Sequence, residues 1–485
     1  MGRRDDEDPG LPVKLNPCSN GEFLPEPMPP VLLEAVRRAR DLSDHAARRA
    51  GMSRRDFLLS LCGSAVTLMA LDACTREAAR PRTVGGRYGI RPEATYDPEA
   101  ARRDLAGEEF VMDVQGHLLE YDHNPAARED DFWTRFPQRY CGEDDPRACF
   151  SIDHFLTEMF LRSDTTMVVL SALPIAPEHS PLTHEVMDET RRVAGALCRD
   201  ERILLHGQAL PNVGALGANL EAMEDVATRY RIAGWKTFTH FPDAFGQPGH
   251  GWWLDDAIGE RFIEHAVRIG TPIICVHKGL SGGSAFASPR DVGPAARGHP
   301  DASFVVYHSG FEVGTPEGPF TRATAHLGVN RLIASLRRAG IRPGGNVHAE
   351  LGSTWRYVMR YPDQAAHVIG KLLKHLGEDN IMWGTDCLFY GSPQDQIQAF
   401  RAFHITEEYQ ERYGYPPLTK RAKAKILGLN AARVYGVDPV TVPCRFTRRE
   451  LEEEVRRSVP GRNRTLGPST TAEVRAFRED HRGWP

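Results

Sequence analysis

The chain has 485 residues, a formal net charge of −5 at pH 7, 41% hydrophobic residues and 26% charged residues. This length allows one large domain with extensions, and the acidic balance gives no reason to expect nucleic acid or an anionic membrane as a partner. The nine cysteines show no Cys-x-x-Cys or zinc-ribbon spacing, and the composition agrees with a soluble enzyme.

Residues 1–80 are predicted to form a long leader with an export signal at 53–74. Ser53-Arg-Arg-Asp-Phe-Leu-Leu59 leads into the apolar run Phe57–Leu71, a pattern that resembles a twin-arginine (Tat) signal. A stable membrane span needs ~20 apolar residues, so the run is too short for one. The resemblance implies the Tat translocase as a partner during export and a periplasmic location, with Cys74 as an atypical lipidation site. The alternative is a buried core helix, which leaves the protein in the cytoplasm.

Eight short apolar runs follow within residues 108–437, and segments with helical periodicity separate them. The runs are Phe110–His117, Thr166–Leu173, Ile203–Leu210, Gly234–His240, Pro272–His277, Phe304–His308, Asn346–Leu351 and Ile381–Asp386. The clearest helical segments are Leu216–Tyr230, Asp255–Ile269 and Asp363–Leu376. Alternating strands and helices indicate an α/β domain with parallel strands. Eight strands favour a closed (β/α)₈ TIM barrel over the alternative, a doubly wound sheet, and no Gly-x-Gly-x-x-Gly follows the first strand.

Two further segments extend the barrel. Asp122–Phe150 is a long insertion after the first barrel strand and is predicted to cap the pocket. Cys141 and Cys149 lie within this insertion and are candidates for pairing after export. Residues 438–485 form a charged C-terminal extension that contains proline and is predicted either to wrap the barrel or to be mobile.

Five of the apolar runs end in a residue that can bind a metal or carry a proton. These residues are His117, His240, His277, His308 and Asp386. Because the C-terminal ends of the strands of a TIM barrel face the active site, we expect these side chains to meet at one end of the barrel. Neutral imidazoles and one carboxylate suit Zn²⁺ or a similar divalent ion, with one position left open for water or substrate.

Several short motifs resemble those of a known family. They are Asp113-Val-Gln-Gly-His117, Cys275-Val-His-Lys-Gly-Leu280, Tyr307-His-Ser-Gly310, Trp383-Gly-Thr-Asp386 and the closing helix Lys425–Tyr435. Together they resemble the amidohydrolase superfamily, specifically the amidohydrolase-related branch that includes the carboxymuconate-semialdehyde decarboxylase-like enzymes. The resemblance implies that His117 and His277 are metal ligands and that Asp386 is the carboxylate beside the metal. It implies an acid/base or ligand role for His308, and a homodimer would be common in this branch.

One position departs from the family pattern. The first strand of the family normally ends in His-x-His, and Gln115 stands here in place of the first histidine. An amide oxygen is a harder and weaker ligand than imidazole, so it favours Mn²⁺ or Mg²⁺ more than Zn²⁺. Three alternatives follow: Gln115 or a water completes the metal site, the site is weakly metallated but active, or the barrel is degenerate and only binds a ligand.

The predicted function is that of an exported metal-dependent hydrolase with one divalent ion, Zn²⁺ before Mn²⁺ or Mg²⁺. A bound metal lowers the pKa of its water towards ~7, and Asp386 or His308 can accept the proton. The water would attack a carbonyl carbon and cleave a C–N or C–O bond of an amide, ester or lactone. The alternatives are a non-oxidative decarboxylase of a small aromatic or unsaturated acid, and a periplasmic binding protein on a degenerate barrel.

Substrate contacts are predicted at three residues around the loop that follows the fourth barrel strand. His240 lies just before the loop Phe241–Trp253, which is rich in glycine, proline and aromatic residues. Loops after barrel strands build the pocket, so Trp252 and Trp253 would suit an apolar or aromatic substrate. Alternatively, the two tryptophans pack under the loop as a small satellite core.

Two charged residues complete the predicted set of substrate contacts. Lys278, directly after the fifth barrel strand, could bind a substrate carboxylate or lie in solvent. Glu350 on the seventh strand could line the pocket or pair with Lys236 or Arg356. In some members of the superfamily a carboxylated lysine bridges two metals on the fourth strand, but pairing with a carboxylate is the more ordinary role for Lys236.

Overall fold

The computed structural model describes residues 9–121, 123, 141, 143, 145–175, 177–198, 201–242, 250–280, 284–440 and 463–480. The strands are β1 Gly86–Tyr88, β2 Met112–Gly116, β3 Met167–Leu170, β4 Ile203–Ala209, β5 Gly234–Phe238, β6 Ile273–His277, β7 Ser303–Tyr307, β8 Val347–Glu350, β9 Ile381–Met382 and β10 Phe403–Ile405. The helices are α1 Pro30–Arg49, α2 Arg54–Leu58, α3 Leu61–Ala79, α4 Pro98–Leu105, α5 Ile152–Leu156, α6 His184–Cys198, α7 Leu216–Tyr230, α8 Ala257–Arg268, α9 Val292–Gly298, α10 Asn330–Ala339, α11 Thr354–Val358, α12 Pro362–His375, α13 Gln394–Ala402, α14 Glu407–Tyr413, α15 Lys420–Ala424, α16 Asn430–Tyr435 and α17 Thr471–Asp480.

Strands β2 to β9 form one eight-stranded parallel sheet in chain order. The sheet closes on itself between β2 and the segment after β9. A parallel bridge joins Gly116 to Cys387 there, and the Asp386 amide donates to the Gln115 carbonyl over 3.0 Å. The predicted (β/α)₈ TIM barrel is confirmed, and each barrel strand lies within one of the predicted apolar runs except β7, which begins one residue earlier at Ser303.

The apolar runs form strands because both of their faces are covered. Every residue of β5 and β6 is buried, as parallel strands between a barrel interior and a layer of helices require. The three helical segments predicted from periodicity are the helices α7, α8 and α12. Helix α8 begins after Asp256, whose carboxylate accepts from the Ile258 and Gly259 amides at 2.9 Å, and it buries Phe262 and Ile263 against the sheet.

The apolar run of the predicted leader is part of the folded protein. Phe57–Leu71 lies in α2 and α3, and the side chains of Leu68 and Leu71 are fully buried in the main hydrophobic core. Helix α3 packs against α1 and α4. The structure therefore gives this run the arrangement of a buried helix, which was the alternative to an exposed signal. Among the described residues, no helix combines the length and the apolar composition needed to span a membrane.

The two ends of the chain meet on the barrel. Lys14, near the N-terminus, forms a buried ion pair of 3.0 Å with Asp395 at the start of α13. In the C-terminal extension, the Leu466 amide donates to the Phe389 carbonyl over 2.8 Å. Residues 463–480 therefore pack on the barrel, while 441–462 and 481–485 lie outside the described residues.

The predicted cap after the first barrel strand is described only in part, because residues 122, 124–140, 142 and 144 lie outside the described residues. Within the described part, Cys141 and Cys149 form a disulfide. The pairing expected from the sequence is therefore present.

Candidate active site

Four of the five predicted residues at strand ends form one buried cluster. His117 follows β2, His277 ends β6, His308 follows β7 and Asp386 follows β9. His277 and His308 have ring centroids 4.5 Å apart, and His117 Nε2 lies 3.2 Å from Asp386 Oδ1. These ends of parallel strands meet because the strands of a TIM barrel all present their C-terminal ends to one face.

Each of the three histidines is fixed by a backbone carbonyl. His117 Nδ1 lies 2.6 Å from the Ser171 carbonyl oxygen, His308 Nδ1 lies 2.8 Å from that of Gly352, and His277 Nε2 lies 3.1 Å from that of Gly279. A carbonyl oxygen only accepts, so each of these nitrogens carries a proton, and in the neutral rings of His277 and His308 the other nitrogen carries a lone pair. Imidazoles that bind metals are typically held in this way.

The second ring nitrogen of each histidine faces a carboxylate oxygen. His117 Nε2 faces Asp386 Oδ1 at 3.2 Å, while His277 Nδ1 and His308 Nε2 face the two oxygens of Glu22 at 3.4 and 3.8 Å. His277 Nδ1 and His308 Nε2 are buried and have no hydrogen bond within the described part of the chain. Two acceptors that face each other repel unless a proton or a metal ion lies between them, so one of the two is needed between Glu22 and these nitrogens.

The Glu22, His277 and His308 side chains each offer one ligand atom, and these atoms lie within 4.8 Å of one another. Two imidazoles and a carboxylate are a donor set that suits Zn²⁺ and tolerates other divalent ions. The described residues therefore fit a metal ion at this position.

Asp386 is held as an anion by the polar groups around it. Its Oδ1 accepts from Gln115 Nε2 at 2.9 Å, and its Oδ2 accepts from Asn20 Nδ2 at 2.6 Å and from the Ser353 hydroxyl. Burial disfavours the charged form, but the contacts with His117, His308 and Ser353 outweigh it and hold the pKa of Asp386 well below its usual range. The carboxylate can therefore accept a proton.

The neighbouring histidines are neutral at pH 7. Burial, with a smaller contribution from nearby cationic groups, lowers the pKa of His308 to about 4 and the pKa of His240 to about 3, and it holds the pKa of His277 well below its usual value. Burial and the charge of Asp386 act in the opposite direction on Glu22 and raise its pKa to about 8.

Glu350 organises the backbone around His308. Its Oε2 accepts from the His308 amide at 2.9 Å and its Oε1 accepts from the Gly352 amide, whose carbonyl in turn holds the His308 ring. Burial raises the pKa of Glu350 to about 8. The predicted role of Glu350 in substrate binding stays a prediction, because the contacts in the structure are those of a residue that positions His308.

The backbone is strained at four non-glycine residues of the cluster. These are His308, Ser309, Ser353 and Asp386, with φ of 61°, 54°, 52° and 59°. Such left-handed conformations cost about 1–3 kcal/mol each and persist where the surrounding structure fixes them, commonly at functional sites. Here the strain places His308 and Asp386 where their side chains meet.

Gln115 acts as a hydrogen-bond donor in the structure. Its amide nitrogen donates to Asp386, and its Oε1 is buried without a hydrogen-bond partner in the described part of the chain. Turning the amide around would place its oxygen against the carboxylate, which is unfavourable. A role of this oxygen as a metal ligand therefore stays a prediction, while the contact with Asp386 is part of the structure.

The other predicted substrate contacts differ in their distance from the cluster. His240 packs on His277, with ring centroids 4.7 Å apart, and so adjoins the site. Trp252 is buried against Phe262 in the main hydrophobic core, while Trp253 contacts Phe286 and the Arg290 guanidinium. Residues 243–249 of their loop lie outside the described residues.

Lys278 is fully buried, and its ammonium forms an ion pair of 2.8 Å with Asp291 and donates to the Phe286 carbonyl. Its charge is therefore already neutralised. We expect Lys278→Ala to lower the free energy of unfolding by about 3–5 kcal/mol, because it leaves Asp291 as an uncompensated buried charge. Denaturant unfolding measures this, with the exposed Lys420→Ala as the control. Unchanged stability together with a raised KM would instead support the predicted contact with a substrate carboxylate.

Three residues of the site were not predicted: Asn20, Glu22 and Ser353. Asn20 and Glu22 stand in a leader segment with no periodicity, about ninety residues before β2. No local pattern in the sequence distinguishes this acid from the other carboxylates of the chain. Ser353 follows a predicted strand by two residues, so its place at the barrel mouth was the one signal available.

Comparisons with known proteins agree with the barrel. The family model described as amidohydrolase matches residues 218–437, which contain His277, His308 and Asp386. No curated protein matches the chain in sequence.

Among solved structures, the 5-carboxyvanillate decarboxylase of Sphingomonas paucimobilis is 17% identical, with 68% of this chain and 100% of that chain covered and a TM-score of 0.40. The 2,6-dihydroxybenzoate decarboxylase of Rhizobium is 15% identical, with 68% and 98% covered and a TM-score of 0.39. The 4-oxalomesaconate hydratase of Rhodopseudomonas palustris is 16% identical, with 67% and 96% covered and a TM-score of 0.40. Likenesses at this level carry no argument about the reaction. The family match covers 220 of the 485 residues and includes three of the four residues of the cluster at the barrel mouth.

Proposed function

We propose that the protein is a metal-dependent hydrolase that cleaves a C–N or C–O bond in a small-molecule amide, ester or lactone. One observation carries the proposal. The second ring nitrogens of three buried histidines face the oxygens of two buried carboxylates at 3.2–3.8 Å, an arrangement that suits a divalent ion. One divalent ion is proposed, Zn²⁺ before Mn²⁺ or Mg²⁺ because imidazole is the main donor.

The residues that would hold the ion are His277 and His308 on one side, and His117 and Asp386 on the other. When bound, such an ion polarises a carbonyl group and lowers the pKa of a bound water. The residues of the chain supply the rest. Asp386 is ionised and accepts the proton of the attacking water, while Gln115 and Ser353 keep its two oxygens in place.

His308 is the second group proposed for proton transfer. It is neutral at pH 7 and its Nε2 carries a lone pair, because Nδ1 is bound to the Gly352 carbonyl. Glu350 fixes both the His308 amide and the Gly352 amide, so it determines where Nε2 points. The deep burial of the cluster excludes bulk water, which strengthens each of these charge interactions.

Metal analysis and a substrate panel test this function. We expect about one divalent ion per purified chain, and turnover of a member of a panel of esters, lactones, amides and aromatic carboxylates. Release of carbon dioxide from an aromatic carboxylate, without hydrolysis of the other compounds, would replace the hydrolase by the decarboxylase that the sequence leaves as an alternative. A chain that binds ligands, but binds no metal and turns over no compound, would be a binding protein on a degenerate barrel.

Export through the Tat pathway is a separate proposal. It is supported by the Arg54–Arg55 pair before an apolar run, and by the Cys141–Cys149 disulfide, since disulfides are typical of oxidising compartments. We expect cell fractionation to find the wild type in the periplasm and the variant with both arginines changed to lysine in the cytoplasm. The same distribution of both proteins would contradict export by this route.

The homodimer that the resemblance implies is also a proposal, and sedimentation of the purified chain tests it.

A further inference from the structure

We propose that the leader supplies a metal ligand to the barrel: Glu22 binds the ion together with His277 and His308, and so compensates for the imidazole that is absent at Gln115. The inference rests on the proposed metal-dependent function. It makes the N-terminal segment part of the reaction centre and not only a segment that precedes the barrel.

The loop at Ser19–Glu22 is built to present the Glu22 carboxylate. The Ser19 amide donates to the Pro468 carbonyl at 2.7 Å, and the Gly21 amide donates to Ser19 Oγ at 2.9 Å. Gly21 has a φ of 98°, which a residue with a side chain rarely adopts. The Glu22 amide then donates to Asn20 Oδ1 at 3.0 Å, which closes a tight turn with the carboxylate at its end.

The C-terminal extension locks this turn from the outside. Arg478 on α17 donates to the Gly21 carbonyl from Nε and to the Glu22 carbonyl from a terminal nitrogen, both at 2.8 Å. Arg356 donates to the Asn16 carbonyl at 3.0 Å, a few residues earlier in the leader. The side chain of Glu22 is therefore directed into the barrel by contacts with two distant parts of the chain.

Charge gives the reason for a cation at Glu22. Asn20 Nδ2 donates one N–H to Glu22 Oε2 and the other to Asp386 Oδ2, both at 2.6 Å, so a single amide group joins the two buried acids. Both carboxylates are buried, at 4% and 2% exposure, where unpaired charge is expensive. The buried ammonium of Lys236 lies over the Tyr307 ring, 3.6 Å from its centroid, and this one cation acts on Glu22, Asp386 and Glu350 together. A divalent ion between Glu22 and the two imidazoles would balance the second carboxylate.

The position of Gln115 on β2 explains why the leader would supply a ligand. The nitrogen of the Gln115 amide is engaged by Asp386, and its oxygen is directed towards Gly352, where a Cβ would come within 2.2 Å of it. The amide oxygen thus lies against Gly352. A carboxylate from the leader provides the donor that this strand does not.

The test compares Glu22→Gln, Glu22→Asp and a matched control, Glu26→Gln, in the full-length protein. Glu26 lies four residues further along the same segment, is exposed, and accepts from the Tyr357 hydroxyl outside the cluster. Metal is removed with a chelator, Zn²⁺ is titrated back, and affinity and Tm are measured with and without Zn²⁺. Stabilisation by a ligand follows its affinity for the folded state, so Tm reports binding independently of turnover.

We expect Glu22→Gln to weaken Zn²⁺ binding at least about tenfold, since losing even an outer contact of a metal ligand costs about 10- to 100-fold. Glu22→Asp should be intermediate and Glu26→Gln should match the wild type. The metal-free Tm of Glu22→Gln should stay the same or rise, because the neutral amide replaces a buried acid next to Asp386. A residue with a purely structural role would instead lower the metal-free Tm.

Wild-type affinity in both Glu22 variants would overturn the inference. If turnover also rises, the segment is a plug that competes with substrate for the site. A wild-type chain that binds no Zn²⁺ at all would overturn the proposed function itself. The two failures are distinguishable, because in the second case His277→Ala and the wild type behave alike.

Discussion

Replacing His277 by alanine should reduce the bound metal from about one ion per chain to a small fraction, and Asp386→Ala should lower kcat by about 10²–10⁴-fold through the lost proton acceptor. His277 contributes one of the two buried nitrogens without a hydrogen bond in the described part of the chain, so its loss removes a donor that no neighbour replaces. Asp386 adjoins the metal-binding side chains, and hydrogen bonds from Gln115 and Ser353 hold its carboxylate in place.

Elemental analysis of the purified variants and steady-state kinetics measure the two effects. His299→Ala is the matched control, because His299 binds Glu260 far from the cluster, with 2.7 Å between Nε2 and Oε2. A His277→Ala protein with stoichiometric metal and normal turnover would exclude His277 from the ligand set. An active Asp386→Ala protein would move the role of proton acceptor to His308.

Removing residues 1–80 should leave a chain that does not fold. Helix α3 lies in the main hydrophobic core. Its removal would expose an apolar patch on the barrel, and such a patch favours aggregation. A milder probe is Leu68→Ala, which should lower the free energy of unfolding by about 2–5 kcal/mol because it empties a fully buried position. The control is Leu33→Ala on α1, where the side chain is 55% exposed and the expected change is within about 0.5 kcal/mol.

The same truncation removes Asn20 and Glu22 from the site. We therefore expect sequencing of the native protein to find these residues retained, whether or not the chain is exported. A stable, metal-binding and active chain that begins between Ala73 and Arg80 would contradict both the packing role of the leader and the ligand role of Glu22.

The barrel and half of its site are determined by the local sequence. A strand covered on both faces must be apolar along its whole length, so runs such as Pro272–His277 can be recognised as strands from the sequence alone. Parallel strands then place their downstream ends on one face, which is why His117, His277, His308 and Asp386 could be grouped from their positions alone.

The remaining features depend on contacts between parts of the chain that are remote in sequence. Asn20 reaches Asp386 across 366 residues, and nothing in the composition of either segment specifies that pairing. An apolar run such as Phe57–Leu71 has the same sequence pattern in an export signal and in a core helix. Which of the two it forms depends on the surfaces that cover it. Likewise, a lysine after a strand can bind a substrate or pair with a carboxylate of the protein. Lys278 forms an ion pair because the fold places Asp291 next to it. Local sequence selects the strands because their burial is a property of each segment. The charge balance of the site was decided only when the leader folded over the barrel, because it depends on which distant carboxylate arrives there.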